Sequence, residues 1–261
     1  MPRIMVAQIS DVHMPGTDDR PHPDSDPRGN FLAALRHANT RVSGILVTGD
    51  IAGVAGTDAE YDSFERSLDE AVVPVWLVPG NHDNSPKMQQ RFNLPSRNGR
   101  CDYIVDLVGV RLVVLDTSRP GREDGVFDAD QAAWLTMALD AERPALIAMH
   151  HPCIELGGPG LATIRLDHES IARLRSVVAG KCVHAVVSGH AHMTVFAEFA
   201  GTRAIICPSS AYEFGFDDGR FRYQLGEAQY LEHSWNADGT GFLTKVVTVA
   251  PELWRPIPMS D

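Results

Sequence analysis

The sequence has no apolar run approaching the roughly 20 residues that a helix needs to cross a bilayer, which excludes an integral helical membrane protein. It also lacks the basic region, apolar stretch and small-residue cleavage site of a secretory leader. Strand-like residues 4–9 follow the N-terminus at once, and a cytoplasmic location is the expectation. Cysteine is sparse: Cys101, Cys153, Cys182 and Cys207 lie far apart with no C-x-x-C pair. Neither a disulfide framework nor a thiolate zinc site is indicated, and reduced, mostly buried thiols are expected. Basic side chains are outnumbered, 23 Lys and Arg against 34 Asp and Glu. The resulting net charge of −11 opposes a long nucleic-acid partner, whose backbone is bound by clustered cations. A small anionic ligand is compatible with it, because bound divalent cations reverse the field locally. Neither a solenoid-period repeat nor a low-complexity linker interrupts the chain, so one domain over 1–261 is expected, with 256–261 a frayed tail.

What is present is an ordinary globular mixture, 44% hydrophobic and 22% charged, laid out in alternation. Apolar, β-branched runs at 4–9, 45–48, 75–78, 112–115, 145–149 and 183–187 read as buried strands. Helical spacing fills 31–38, 59–70, 129–141 and 170–179 between them, which is an α/β pattern. From about 195 to 250 the signals change to closely spaced strands at 195–199, 203–207, 220–232 and 242–249, with turn pairs such as Ala200-Gly201 and Asp238-Gly239. Residues 14–29, 155–165 and 208–221 read as loops.

Strand ends carry metal-ligand residue types in tight clusters: Asp11-Val12-His13, Gly49-Asp50, Gly80-Asn81-His82-Asp83, His150-His151 and Gly189-His190-Ala191-His192. In an α/β sheet the functional crevice lies beyond the carboxyl ends of the strands, so the five clusters are expected to converge. On an extended backbone, residues two apart project to one side, which lets Asp11 and His13, or His190 and His192, reach a common centre. Glycines 49, 80 and 189 allow a sharp turn and a close approach. Singly, a D-x-H or G-D is more often a turn or a cap than a ligand. Their joint occurrence after separate buried strands makes metal binding the better reading.

Together these residues resemble the calcineurin-like metallophosphoesterases, whose signature D-x-H, G-D, G-N-H-D, H and G-H-x-H is complete here and extends over almost the whole chain. Glu60-Tyr61, Leu115-Asp116-Thr117-Ser118 with Gly125 downstream, and His150-His151-Pro152 resemble the bacterial class III cyclic-nucleotide phosphodiesterases and glycerophosphodiesterases within that family. The resemblance implies a four-layer α/β/β/α sandwich of two mixed sheets flanked by helices. It implies that Asp11, His13 and His192 hold one divalent metal, that Asn81, His150 and His190 hold a second, and that Asp50 bridges them. A hydroxide between ions about 3.5–4 Å apart would attack phosphorus in line. His82 would face the substrate and either stabilise the phosphate or protonate the departing oxygen, work for which imidazole is suited. Asp83 is left between orienting His82 and capping the helix that follows. His151 is expected to pack, and His184 to be a buried structural residue. The nitrogen and oxygen donors suit manganese, iron, zinc or cobalt.

The implied activity is metal-dependent hydrolysis of a small phosphodiester, 3′,5′-cyclic AMP or a glycerophosphodiester. A phosphomonoesterase or a nuclease of the same family is the enzymatic alternative, and a catalytically silent protein-binding scaffold is the alternative of another class. Basic clusters would mark the nuclease and lost ligands the scaffold; neither is present. A small-molecule partner, no long nucleic acid, no membrane, and self-association through the β-rich C-terminal part, by analogy with the bacterial relatives, complete the expectation. Aromatics Tyr212, Phe214 and Phe216 lie in the 208–221 segment and would stack on a base, form a subunit contact or simply pack.

Overall fold

The structure, a computed structural model, describes residues 3–16, 24–139, 143–158 and 160–250. The first half runs β1 (Arg3–Ile9), α1 (Pro27–Asn39), β2 (Gly44–Thr48), α2 (Asp58–Leu68), β3 (Val75–Val78), α3 (Ser85–Arg91), β4 (Tyr103–Asp106) and β5 (Arg111–Val114). It continues with α4 (Ala129–Ala138), β6 (Ala145–Ala148), α5 (His168–Val178), β7 (Val183–Ser188), β8 (Val195–Phe199) and β9 (Thr202–Ile206). Four strands close the described chain: β10 (Glu213–Asp217), β11 (Arg220–Gln224), β12 (Gln229–Asn236) and β13 (Leu243–Thr248).

The strands form a five-stranded sheet in the order β13-β12-β1-β2-β3, a six-stranded sheet in the order β4-β5-β6-β7-β9-β8, and a separate β10-β11 hairpin. In the five-stranded sheet β1, β2 and β3 pair in parallel while β12 and β13 join antiparallel on one side, and in the six-stranded sheet β5, β6, β7 and β9 pair in parallel between antiparallel edges β4 and β8, so both sheets are mixed. Period-two alternation explains why two sheets stack. Val6 and Leu46 of one sheet join Leu112, Val114, Leu146 and Val187 of the other in a single apolar cluster. Their neighbours Ala7, Ile45 and Val47 face α1 and α2 through Phe31, Leu35 and Phe64. Val113, Ile147 and Val186 face α4 and α5 through Leu135 and Leu174. The layers are therefore helix, sheet, sheet, helix, as the resemblance implied. Because both faces of each sheet are covered, the inner strands are apolar at nearly every position.

Several boundaries differ from the sequence reading. Residues 27–29 are helix and not loop: Asp26 caps α1 by accepting from Gly29 N, and Pro27 occupies its first turn. Segment 220–232 divides into β11 and β12, with Gly226 in the gap, a residue that weakens strands. Residues 213–217, read as loop, are β10. Asp218 (φ 49°) and Gly219 (φ 71°) make the two-residue turn with both φ values positive that matches strand twist. It pairs Phe216 with Phe221 and Phe214 with Tyr223. β4 had no counterpart in the sequence reading, and α3 had one only as the helix that Asp83 was to cap. Cys101, Cys153 and Cys207 are buried and Cys182 is exposed. Residues 17–23 of the 14–29 loop, His22 among them, and the 256–261 tail lie outside the described residues. Among the described residues, no helix is long and apolar enough to cross a membrane.

A buried polar chain ties the two sheets together beneath the strand ends. Gln8, fully buried on β1, donates to Thr48 Oγ1 (2.9 Å) on β2 and to Ser188 O (3.0 Å) on β7. Its Oε1 accepts from His233 Nε2 on β12 (2.9 Å), whose Nδ1 meets Thr244 Oγ1 (2.9 Å). His233 thus has one donor and one acceptor partner, which suits the neutral ring, and burial pushes its pKa from 6.5 down to about 3. The unfolded chain takes up that proton first, so the stability tied to neutral His233 is complete above pH 6.5 and is lost as pH falls towards about 3. At pH 5 the loss is about 2 kcal/mol. Urea unfolding at pH 7 and pH 5 is expected to show that increment in the wild-type protein and not in His233→Gln; an equal drop in both would refute the assignment.

Candidate metal centre

Each candidate cluster lies two or three residues beyond a strand: Asp11 after β1, Asp50 after β2, Asn81 after β3, His150 after β6 and His190 after β7. The local backbone is not the extended form that the D-x-H and H-x-H spacing suggested. Asp11 (φ 51°), His13 (47°), Asp50 (46°), His190 (67°) and His192 (49°) are all left-handed, so the side chains converge because the chain turns at each donor. Such a conformation costs roughly 1–2 kcal/mol per residue and persists where surroundings enforce it. Here parallel backbone bonds enforce it: Asp11 N to Gly49 O (3.1 Å), His13 N to Asp50 O (2.8 Å) and Met14 N to Ile51 O (2.8 Å). Of the three expected glycines only Gly49 needs a positive φ (92°). Gly80 and Gly189 serve close approach: a Cβ at Gly80 would run into the Asp50 carboxylate, and one at Gly189 into Ser10 Oγ and the Asp11 carboxylate.

The donor atoms form two groups that meet at Asp50. In the first, His192 Nε2 lies 3.0 Å from His13 Nε2 and 3.5 Å from Asp11 Oδ1, and His13 Nε2 lies 3.8 Å from Asp50 Oδ2. In the second, His150 Nε2 lies 3.0 Å from Asn81 Oδ1, 3.1 Å from His190 Nδ1 and 3.3 Å from Asp50 Oδ1. One oxygen of Asp50 therefore faces each group. Apart from half-buried Asn81, these residues are buried.

The donors fit divalent cations. His150 Nδ1 donates to Thr48 O (2.8 Å) and His192 Nδ1 to Tyr212 O (2.9 Å), which leaves a lone pair on each Nε2. The His150 lone pair then faces the amide oxygen of Asn81 and the carboxylate of Asp50, an arrangement that a bound cation satisfies. Electrostatics say the same. Burial, against the pull of His150 and with a further push from Asp50, raises the Asp11 carboxyl to about 7. Burial pushes Asp50 up too, but His150, His82 and His13 outweigh it and hold it well below 3.8. Burial lowers His150, yet Asp50 and Asp11 raise it to about 9. A proton on His150 is the nearest substitute for a cation there. The groups Asp11/His13/His192 and Asp11/Asp50/His150 each gather their donor atoms within 4.8 Å of one another.

His82 lies at the edge of the centre, its side chain 36% exposed. Its backbone N–H donates to Asp50 Oδ1 (3.0 Å), its Nδ1 donates to Gly53 O (3.0 Å), and its Nε2 is 3.9 Å from Asp50 Oδ2. Asp83 does neither of the things expected of it, because Asn84 caps α3 and Gly53 orients His82. Its carboxylate accepts from Ile51 N (3.1 Å), Ala52 N (3.0 Å), Gly80 N (2.9 Å) and Tyr61 OH (3.3 Å), which binds the Asp50 loop to the Asn81 loop. Glu60 completes the brace: its carboxylate accepts from Val54 N (2.6 Å) and Thr57 N (2.7 Å), closing the capping box of α2. The Glu60-Tyr61 pair carried a resemblance in the sequence; the Thr57-x-x-Glu60 spacing of the capping box was also there to be read, whereas the bond to Val54 had no sequence signal.

The other histidines separate. His151 is buried, bonded through Nδ1 to Thr117 Oγ1 (2.8 Å), with its Nε2 unpartnered. His184 is half-buried rather than buried and donates to Gly239 O (2.7 Å); His37 meets Tyr230 OH (3.0 Å) and His168 is exposed. Of the aromatics in the 208–224 segment, Tyr212 and Phe214 pack against the centre, while Phe216 and Tyr223 are exposed. Phe214 stacks on His192 (centroids 4.4 Å apart, 19°), and Tyr212 lies against both His192 (4.6 Å) and His13 (5.4 Å). With Phe221 and Glu123 they wall a cavity of about 280 Å³ over His13, Asp50 and His82.

Residues 4–194 match the family model of the calcineurin-like phosphoesterases. A Fibrobacter succinogenes protein named as a probable cyclic nucleotide phosphodiesterase is 33% identical over 214 residues, 79% of this chain and 80% of that one. An Arcobacter nitrofigilis protein named as a probable glycerophosphodiester phosphodiesterase is 22% identical over 250 residues, 90% of each. Among solved structures, a dimetal phosphatase from Danio rerio shares the fold, with a TM-score of 0.63 at 16% identity over 95% of this chain and 99% of that one. The chain belongs to the calcineurin-like phosphoesterase family and is a metal-dependent phosphoric ester hydrolase.

The brace is testable apart from catalysis. Asp83→Asn turns an amide N–H₂ towards backbone N–H groups that now meet a carboxylate oxygen, and is expected to cost about 3 kcal/mol in urea unfolding of the metal-free protein. A change within about 0.5 kcal/mol, ordinary for a surface substitution, would contradict the role.

Proposed function

We propose that this chain hydrolyses a small phosphodiester, with 3′,5′-cyclic AMP ahead of glycerophosphodiesters, at a two-metal centre in which Asp11, His13 and His192 hold one ion, Asn81, His150 and His190 the other, and Asp50 both. The observation that carries the reading is the placement of one Asp50 oxygen towards each donor group. Two bound cations supply positive charge for the phosphoryl oxygens and lower the pKa of water towards neutrality. Manganese, iron, zinc and cobalt all match the donor set.

The protein groups do the rest. With Nδ1–H committed to Gly53 O, a protonated His82 has its Nε2–H left to give to a phosphoryl or departing oxygen in the cavity. Tyr212 and Phe214 cover one flank of His192, which shields the centre from bulk water on that side. Across Asn81 lies a second cavity of about 460 Å³, lined by Ser85, Arg100, Ser118, Arg119 and Pro120 among others. It offers room for the organic substituent of a phosphate ester. The relatives' names support a diester over a monoester. The proposal includes a cytoplasmic setting, and self-association through the β-rich C-terminal strands.

The test is turnover of metal-stripped protein reloaded with manganese on bis(p-nitrophenyl) phosphate, p-nitrophenyl phosphate and cyclic AMP. Diester hydrolysis is expected, and Asp50→Ala should lower it more than about 100-fold, beyond what outer-shell partners of a metal cost. Turnover of the monoester alone would sink the diesterase reading, and no metal-dependent turnover on any substrate would favour the silent scaffold. His82→Ala is expected to lower kcat by about 10²–10⁴ while leaving metal content unchanged; wild-type kcat in that variant would remove His82 from the mechanism.

A further inference from the structure

His190 turns Nδ1 towards the His150 side of the centre, so its Nε2 points away from it. That Nε2 is buried and has no hydrogen-bond partner. A ring that gives Nδ1 to a cation must carry its proton on Nε2, and a buried N–H with no acceptor is destabilising. His151 has a matching need. Its ring lies 4.7 Å from that of His190, centroid to centroid, and its own Nε2 is also buried and unpartnered. Nδ1 of His151 is bonded to Thr117 Oγ1 at 2.8 Å, and Thr117 follows directly on buried Asp116 beyond β5. If Nδ1 carries the His151 proton, Nε2 carries a lone pair, the complement of what His190 needs. Gly125 keeps the ring in place: a Cβ there would run into His151, and Gly125 is itself held between Arg165 O (3.1 Å) and Asp167 N (3.0 Å).

We propose that His151 is a positioning residue, whose Nε2 accepts the Nε2–H of His190, directly or through one buried water, and so fixes His190 in the form that coordinates through Nδ1. The inference rests on the metal-centre reading above and concerns one half of that centre, the Asn81/His150/His190 group. In this arrangement Thr117 Oγ1, which also receives the His151 backbone N–H (3.5 Å), accepts the Nδ1 proton, His151 Nε2 sets the tautomer of His190, and His190 presents its lone pair. Outer partners of this kind typically account for 10- to 100-fold in metal affinity.

Two conservative variants separate positioning from packing, because an asparagine amide reaches about where Nδ1 lies and a glutamine amide about where Nε2 lies. Calorimetric titration of the metal-stripped full chain with Mn²⁺ is the readout, and His190→Ala identifies which binding event belongs to the second group. His151→Asn keeps the Thr117 contact and is expected to weaken that event about 10- to 100-fold with the other unchanged. His151→Gln is expected to restore it to within a few-fold. Wild-type binding in His151→Asn, rescue by Asn rather than Gln, equal weakening of both events, or failure of both variants to fold would each overturn the proposal. A wild-type protein that binds two ions but turns over no diester would end the diesterase reading and leave this one standing.

Discussion

The site depends on a single electrostatic constraint: two carboxylates, Asp11 and Asp50, are buried side by side among imidazoles, out of reach of water. Buried charge of one sign is tolerable only when opposite charge is brought to it. The fold arranges for that by ending five strands of two sheets in one place. Backbone strain at five donors and the tight fit at Gly80 and Gly189 are the local cost of this convergence. The core on both faces of each sheet, with about 1.5–3 kcal/mol from each fully buried large apolar side chain, is large enough to hold it.

Gln8 shows how the core and the site are joined. Its amide touches Thr48 and Ser188, the last residues of two strands, one from each sheet. Thr48 O in turn receives His150 Nδ1 and Ser10 Oγ. A polar side chain in an otherwise apolar interior thus relates the two sheets in register, and a donor imidazole takes its orientation from the same strand end. Binding geometry at the surface is inherited from packing in the interior.

Much of this was legible in the sequence because it rests on local patterns. Buried parallel strands appear as apolar runs, and residues of metal-ligand type directly after them, Asp11, Asp50, Asn81, His150 and His190, mark the sheet ends. Less was legible where partners are distant in the chain or carry no side-chain signal. The carbonyls of Thr48, Gly53 and Tyr212, which orient three imidazoles, are backbone atoms that any residue would offer. Asp83 was misread because its four partners come from three separate segments. The D-x-H alternation gave the right convergence for the wrong reason, since left-handed turns, not strand pleating, aim those side chains. β10 was hidden by a segment whose aromatics suited a loop wall as well as a strand, until its Asp218-Gly219 turn paired them.

Glu60 gives the brace a wider consequence. The same carboxylate closes the first turn of α2 and holds Val54, the residue after the Gly53 carbonyl on which His82 rests. Helix ends are where folded proteins open first, in small cooperative units well below the global transition. In most proteins fraying of one helical turn at the periphery is silent. Here unwinding of α2 at its start would release the loop and, with it, the angle of an imidazole beside the candidate metal centre, so local breathing of a surface helix and loss of order at that imidazole are one event.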